Sequence, residues 1–214
     1  MNPEDVWRGI DGQRGLLVDL LEDLSDQEWQ HPSLCAGWSV RQVAAHVALQ
    51  NTSWSAMPRG VVEIIKAGGM NSAIHAMACR HAQLPTEQIV AEIRERIGVW
   101  RALPTLSYRE SAIDYLVHLQ DIAIPLGREV AMPVDVAAVA AEQVWRSSSM
   151  FHARRRFTGY RLVATDVEWS AGRGPEVTGP ISAVLLLLAG RSAGLDRLTG
   201  PGADAVRAVV GVQP

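Results

Sequence analysis

The chain has 214 residues, 48% of them apolar and 20% charged, with a formal net charge of −3. That length can bury a full core, and that balance describes an ordinary globular chain rather than a disordered, fibrous or nucleic-acid-binding one. Two cysteines, Cys35 and Cys79, lie far apart without a CxxC pattern; they exclude a disulfide framework and read as reduced thiols of the cytoplasm.

The N-terminus carries no basic, apolar, small-residue succession, so no signal peptide is expected. The apolar run Ala183 to Ala189 is far too short to span a bilayer. Neither a membrane nor a nucleic acid is therefore an expected partner. Lys66 is the only lysine among many arginines, a composition that hints at a GC-rich genome.

Residues 5–24 place Val6, Trp7, Ile10, Leu16, Leu17, Leu20, Leu21 and Leu24 at helical spacing. Ser25-Asp26 breaks the run, and the following residues form a short turn that tucks Trp29 inward. His31 to Trp38 is a loop punctuated by Pro32 and Gly37. Ser39 with Gln42 forms a capping box, which starts a second helix running to about Trp54. A short helix over 61–67 and a Gly68-Gly69 turn follow. Asn71 can cap a helix through about His81. Thr86 can cap another, with Ile89, Val90, Ile93, Ile97 and Trp100 in register until Pro104.

Ser107 or Tyr108 opens the next helix, which Pro125 and Gly127 end. A further helix covers 136–150, with Val139, Val144 and Trp145 inward. Strands are expected at 160–164, 167–170 and 176–178. Ile181 to Gly190 reads as a buried helix, 193–198 as a short one, and 203–210 as a last helix. The layout is mainly α: an antiparallel helix bundle over 1–150, then a small α+β region over 151–214.

The helix after Ser107 carries Asp114 and His118, four residues apart and hence on one face, with Asp121 continuing the stripe. Ile113, Leu116, Val117, Leu119 and Ile122 surround them, so these polar groups need partners. His46 is the one polar side chain in Val43 to Leu49. A divalent metal held by His46, Asp114 and His118 satisfies all three and leaves open positions. A hydrogen-bonded core histidine and a buried Asp–His ion pair fit the spacing as well.

Trp29, Pro32-Ser33-Leu34-Cys35-Ala36-Gly37-Trp38-Ser39-Val40 and Ala45-His46-Val47 resemble the N-terminal signature of the mycothiol-dependent maleylpyruvate isomerase family. Asp114 to Ile122 with Pro125-Leu126-Gly127 resembles its second signature. Leu162 to Asp166, Trp169-Ser170, Gly174 to Val177 and Gly179-Pro180 are similar to the C-terminal part of many actinobacterial members.

The resemblance implies a DinB-like four-helix bundle. It implies zinc or another divalent ion on His46, Asp114 and His118, where the isomerase itself uses Glu in place of Asp114. It implies mycothiol as a thiol cofactor activated by the metal for addition to a small electrophile, followed by isomerisation or thiol transfer. Two copies pairing through helix faces is a further implication. Asp121 matches a family position and is a candidate to orient a ligand. A non-catalytic DinB-like metal-binding or stress-response protein is the alternative.

Other candidates are weaker. His75 and His81, six apart, do not share a helix face. Arg154-Arg155-Arg156 reads as a solvated face before an anion site. Arg80 and Arg161 are candidate carboxylate clamps. Cys35 precedes the His46 helix as a buried small residue, Trp38 and Trp54 are core or pocket wall, and His31 and His152 are solvated.

Overall fold

A computed structural model describes residues 1–49, 69–102, 106–147 and 151–211. The expected continuation of the His46 helix to Trp54 and the helix over 61–67 lie outside the described residues. By proximity the chain divides into two units, Trp7–Val130 and Met1–Val6 with Ala131–Pro214. The sequence reading set its boundary near residue 150, beyond this division.

The first unit is built from helices. Helix α1 (Pro3–Glu22), whose first residues belong to the other unit, buries Trp7, Ile10, Leu17 and Leu21. Helix α2 (Asp26–Trp29) replaces the expected turn: Ser25 and Glu28 form a full capping box, and Trp29 is buried. Helix α3 (Val40–Ala48) starts at Ser39, whose side chain accepts from Gln42 N while Gln42 Oε1 accepts from Ser39 N at 2.8 Å. Such a cap contributes about 1 kcal/mol and fixes the first residue of the helix.

Helix α4 (Met70–His81) begins two residues earlier than an Asn71 cap requires, with Gly69 at the N-cap and no side-chain cap. Helix α5 (Thr86–Arg94) likewise takes Thr86 as its first helical residue and Pro85 as N-cap. It ends at Arg94, and Ile97 and Trp100 do not continue its register: both are more than 40% exposed. The stretch after it is held by polar contacts instead. Arg14 donates to the carbonyls of Arg96 (2.7 Å) and Val99 (3.2 Å), and Trp100 Nε1 donates to Asp11 Oδ2 at 2.6 Å.

Helix α6 (Tyr108–Ala123) is capped by Ser107 and Glu110 and passes into a 3-10 turn over Ile124–Leu126, closed by left-handed Gly127. Helix α3 packs against α4, α5 and α6. Arg41 locks it to the end of α4, donating to the carbonyls of Ala82 (2.6 Å) and Leu84 (2.7 Å). Arg14 lies 4.6 Å above the Tyr115 ring of α6, which joins α1 to it.

The second unit holds helix α7 (Val134–Arg146), helix α8 (Ala153–Arg156), strands β1 (Arg161–Ala164), β2 (Ser170–Gly172) and β3 (Glu176–Gly179), helix α9 (Ile181–Leu188) and helix α10 (Ala203–Gly211). The sheet order is β2-β1-β3, with β1 antiparallel to β2 and parallel to β3. Strand β2 starts later than expected, because Ser170, Ala171 and Gly172 pair with Val163, Leu162 and Arg161. Gly172 at φ +84° lies so close to the Tyr160 carbonyl that a Cβ there would clash at 2.2 Å.

Helix α7 buries Val136, Ala137, Ala140, Ala141 and Val144, and this face packs on α9. Val139 and Trp145, expected inward, sit at its partly exposed edges. The arginine run is not simply a solvated face. It forms α8, and Arg156 turns in to donate to the carbonyls of Leu187 (2.9 Å) and Leu188 (3.4 Å) at the end of α9. At the start of α9, Asp166 Oδ1 accepts from Ile181 N at 2.8 Å.

Candidate metal centre

Two buried stretches of the first unit each contain partly exposed gaps. From Ser111 to Ala123 on α6 every residue is buried except Asp114 and His118. From Val43 to Ala48 on α3 every residue is buried except His46. The gaps face one another. One ligand atom from each of His46, Asp114 and His118 can be chosen so that all lie within 4.8 Å of one another, and the two imidazole rings stand nearly perpendicular with centroids 5.0 Å apart. Three side chains from distant parts of the sequence thus meet as spacing alone allowed.

The local sequence explains the convergence. The Ser39 cap sets the start of α3, so His46 falls two turns in, on the face toward α6. The Ser107 and Glu110 box does the same for α6, and a four-residue step stacks Asp114 under His118. A backbone bond from Leu34 N to Asp121 O (3.0 Å) seats the loop before α3 on α6.

Asp121 lies one turn beyond His118. Its Oδ2 is 2.9 Å from His118 Nδ1, and its side chain is 0% exposed against 16% for the histidine. A fully buried carboxylate is costly unless donors surround it. It accepts from His118 Nδ1–H and from the Cys35 thiol, whose Sγ is 3.1 Å away. Cys35 Sγ also lies 3.9 Å from His118 Nδ1. With Nδ1 engaged by Asp121, Nε2 is the nitrogen that remains for an ion, the arrangement in which a carboxylate orients a histidine ligand.

The two histidines are driven apart electrostatically. Burial, with the neighbouring His118 adding to it and Asp121 opposing, holds His46 down at about 3. Burial alone would also lower His118; the Asp121 and Cys35 hydrogen bonds and charges outweigh it and raise His118 to about 10. His46 therefore presents a neutral imidazole with a free lone pair at neutral pH, and Asp121 keeps a proton on Nδ1 of His118.

Trp38 forms a wall. Its ring meets His46 edge-on at 5.8 Å and stacks obliquely on His75 at 5.1 Å. Behind His75, Cys79 Sγ lies 3.4 Å from His75 Nε2 and accepts from Gln42 Nε2 at 3.1 Å. His81, considered beside His75 in the sequence, turns away to Glu92 at 2.5 Å.

Sequence reasoning missed two things here. The four-residue step from His75 to Cys79 was a readable signal for their contact. The meeting of Cys35 with Asp121 was not readable, because a loop residue carries no periodicity. Arg161, a candidate clamp, faces Glu176 at 3.5 Å; Arg80 is exposed.

The mycothiol maleylpyruvate isomerase N-terminal domain family matches residues 12–123. The chain belongs to that family. The matched segment contains His46, Asp114, His118 and, within it, Cys35 and Asp121. Crystal structures of the mycothiol-dependent maleylpyruvate isomerase and of a histidine-to-alanine mutant of it are each similar to this chain at a TM-score of 0.64. Each shares 14% identity over 95% of this chain and 94% of the other. At that identity the likeness concerns the fold, which in this chain is mainly helical with a small three-stranded sheet. No curated protein matches the sequence.

The donor set fits a divalent ion. Two imidazoles and a carboxylate with remaining positions open are the ligands of catalytic zinc sites, and the carboxylate–histidine contact supplies the expected support. Among the described residues, no helix is long and apolar enough to cross a membrane.

Proposed function

We propose that this chain is a cytoplasmic, divalent-metal-dependent enzyme that uses a low-molecular-weight thiol, mycothiol, on a small electrophilic substrate. The reaction is an isomerisation of the maleylpyruvate type or a thiol transfer. His46, Asp114 and His118 hold the ion, for which zinc suits the nitrogen and oxygen donors.

The observation that carries the reading is the coincidence of the three ligands with the partly exposed gaps in two otherwise buried stretches. A structural ion site is closed on all sides, whereas a catalytic one keeps an open position. When bound, a divalent ion supplies stabilisation of a thiolate over a thiol near neutral pH.

The protein's own groups do the positioning. His46 offers its lone pair without first losing a proton. Asp121 holds the Nδ1 proton of His118 and so directs Nε2. The Trp38 ring packs perpendicular to the His46 ring, with centroids 5.8 Å apart. Asp114 would bring the one negative charge among the three ligands.

A cobalt-substituted Cys35→Ser protein tests this reading. Adding a model thiol should produce a sulfur-to-cobalt charge-transfer band, because an exogenous thiolate has reached the open position. A spectrum that stays unchanged at saturating thiol points instead to a non-catalytic metal-binding bundle. Size-exclusion with light scattering reads whether two copies pair through a helix face, as the resemblance implies.

A further inference from the structure

We propose that the first unit contains a second coordination position, formed by Cys35, Asp121 and the Nδ1 side of His118, which takes a thiophilic divalent cation such as Zn2+ or Cd2+. One ligand atom from each of these residues lies within 4.8 Å of the others. This position stands whether or not the His46 position is catalytic.

The distances suit an ion. A tetrahedral cation with bonds of about 2.3 Å to sulfur and about 2.0–2.2 Å to nitrogen or oxygen has donor–donor edges of about 3.4–3.6 Å. The observed separations are 3.1 Å for Sγ–Oδ2, 2.9 Å for Nδ1–Oδ2 and 3.9 Å for Sγ–Nδ1. Each moves by no more than about 0.5 Å to reach that tetrahedron.

The donors are also held in advance. Cys35 N donates to Ser33 Oγ at 3.1 Å, Trp38 N donates to Cys35 O at 2.9 Å, and Leu34 N donates to Asp121 O at 3.0 Å. The loop thus delivers the thiol to a fixed point above α6. Thiolate, imidazole and carboxylate together form a softer set than two imidazoles and a carboxylate, so this position favours thiophilic cations.

The two positions exclude one another, since both draw on His118. An ion at Nε2 leaves the proton on Nδ1, hydrogen-bonded to Asp121. An ion on the Cys35 side displaces the thiol proton and the Nδ1 proton to solvent and leaves the remaining ring proton on Nε2. One neutral imidazole cannot give both lone pairs at once.

The test removes the first position and looks for the second. His46→Ala protein is titrated with Cd2+ and with Co2+ while ultraviolet absorption is followed. A thiolate-to-metal charge-transfer band should appear at one ion per chain, vanish in His46→Ala/Cys35→Ser, and persist in His46→Ala/Cys79→Ser. Asp114→Asn, which spares both cysteines and both histidines, should give the same band and stands in if His46→Ala does not fold. Ion binding without a thiolate band in both variants, a band carried by Cys79, or no ion bound by either folded variant would overturn the proposal. Failure here leaves the His46 site untouched, because the cobalt experiment above is made on Cys35→Ser protein.

Discussion

Asp121 Oδ2 stands 2.9 Å from His118 Nδ1, fully buried one helical turn beyond it. This contact holds the Nδ1 proton and the plane of the His118 ring, and it does so from inside the helix that also supplies Asp114. Replacing Asp121 with Asn keeps the shape and removes the charge. Divalent-ion affinity should fall 10- to 100-fold, the range for losing such an orienting partner. Competition against a chromogenic chelator measures it; unchanged affinity would mean that Asp121 does not orient the ligand.

The reverse deletion is a stability experiment. His118→Ala takes away the imidazole donor 2.9 Å from the fully buried Asp121 carboxylate. A buried charge stripped of its partner costs about 3–5 kcal/mol. Urea denaturation of the metal-free protein should show a loss of about 3 kcal/mol or more, and His118→Ala/Asp121→Asn should recover part of it. Equal stability of the two variants would remove the ion pair from the account.

Ion binding should release protons. His118 is raised to about 10 and so is protonated at pH 7 in the metal-free protein, whereas His46, held down at about 3, is already neutral. Binding at Nε2 of His118 therefore displaces about one proton. Apparent affinity should rise about tenfold per pH unit between pH 7 and 9. Calorimetry in buffers of different ionisation enthalpy counts the protons; zero release at pH 7 would contradict the electrostatic assignment.

The same shifts set the pH dependence of the metal-free fold. For His118, raised above its unfolded value of 6.5, the stabilising contribution is complete below pH 6.5 and is lost as pH climbs toward 10. For His46, lowered, the contribution is complete above pH 6.5 and is lost as pH falls toward 3. Together they place a stability maximum near pH 6.5. Thermal melts across pH should show both limbs, and His46→Ala should flatten the acid one. A monotonic profile would be inconsistent with opposite shifts.

Much of this centre was written in the sequence. The step from Asp114 to His118 and the isolation of His46 among apolar residues are periodic features, and the Ser39 and Ser107 caps fix the helix starts. Helix periodicity places residues on faces, so it marked His46, Asp114 and His118 as candidate ligands that could meet. It did not deliver Cys35, which reaches Asp121 through a loop whose course depends on the Leu34–Asp121 backbone bond. It overextended α5 through Ile97 and Trp100, because the apolar register continued past the point where Arg14 and Asp11 take over the chain. It read Arg156 as solvated, since nothing in three consecutive arginines marks the one that meets the end of α9.

The central claim is that His46, Asp114 and His118 share one divalent ion. Elemental analysis of Cys35→Ser protein, purified without chelator and reconstituted with zinc, against Cys35→Ser/His46→Ala tests it most directly. The account predicts one ion per chain in the first and none retained in the second. No ion in the first, or an undiminished ion in the second, would contradict it.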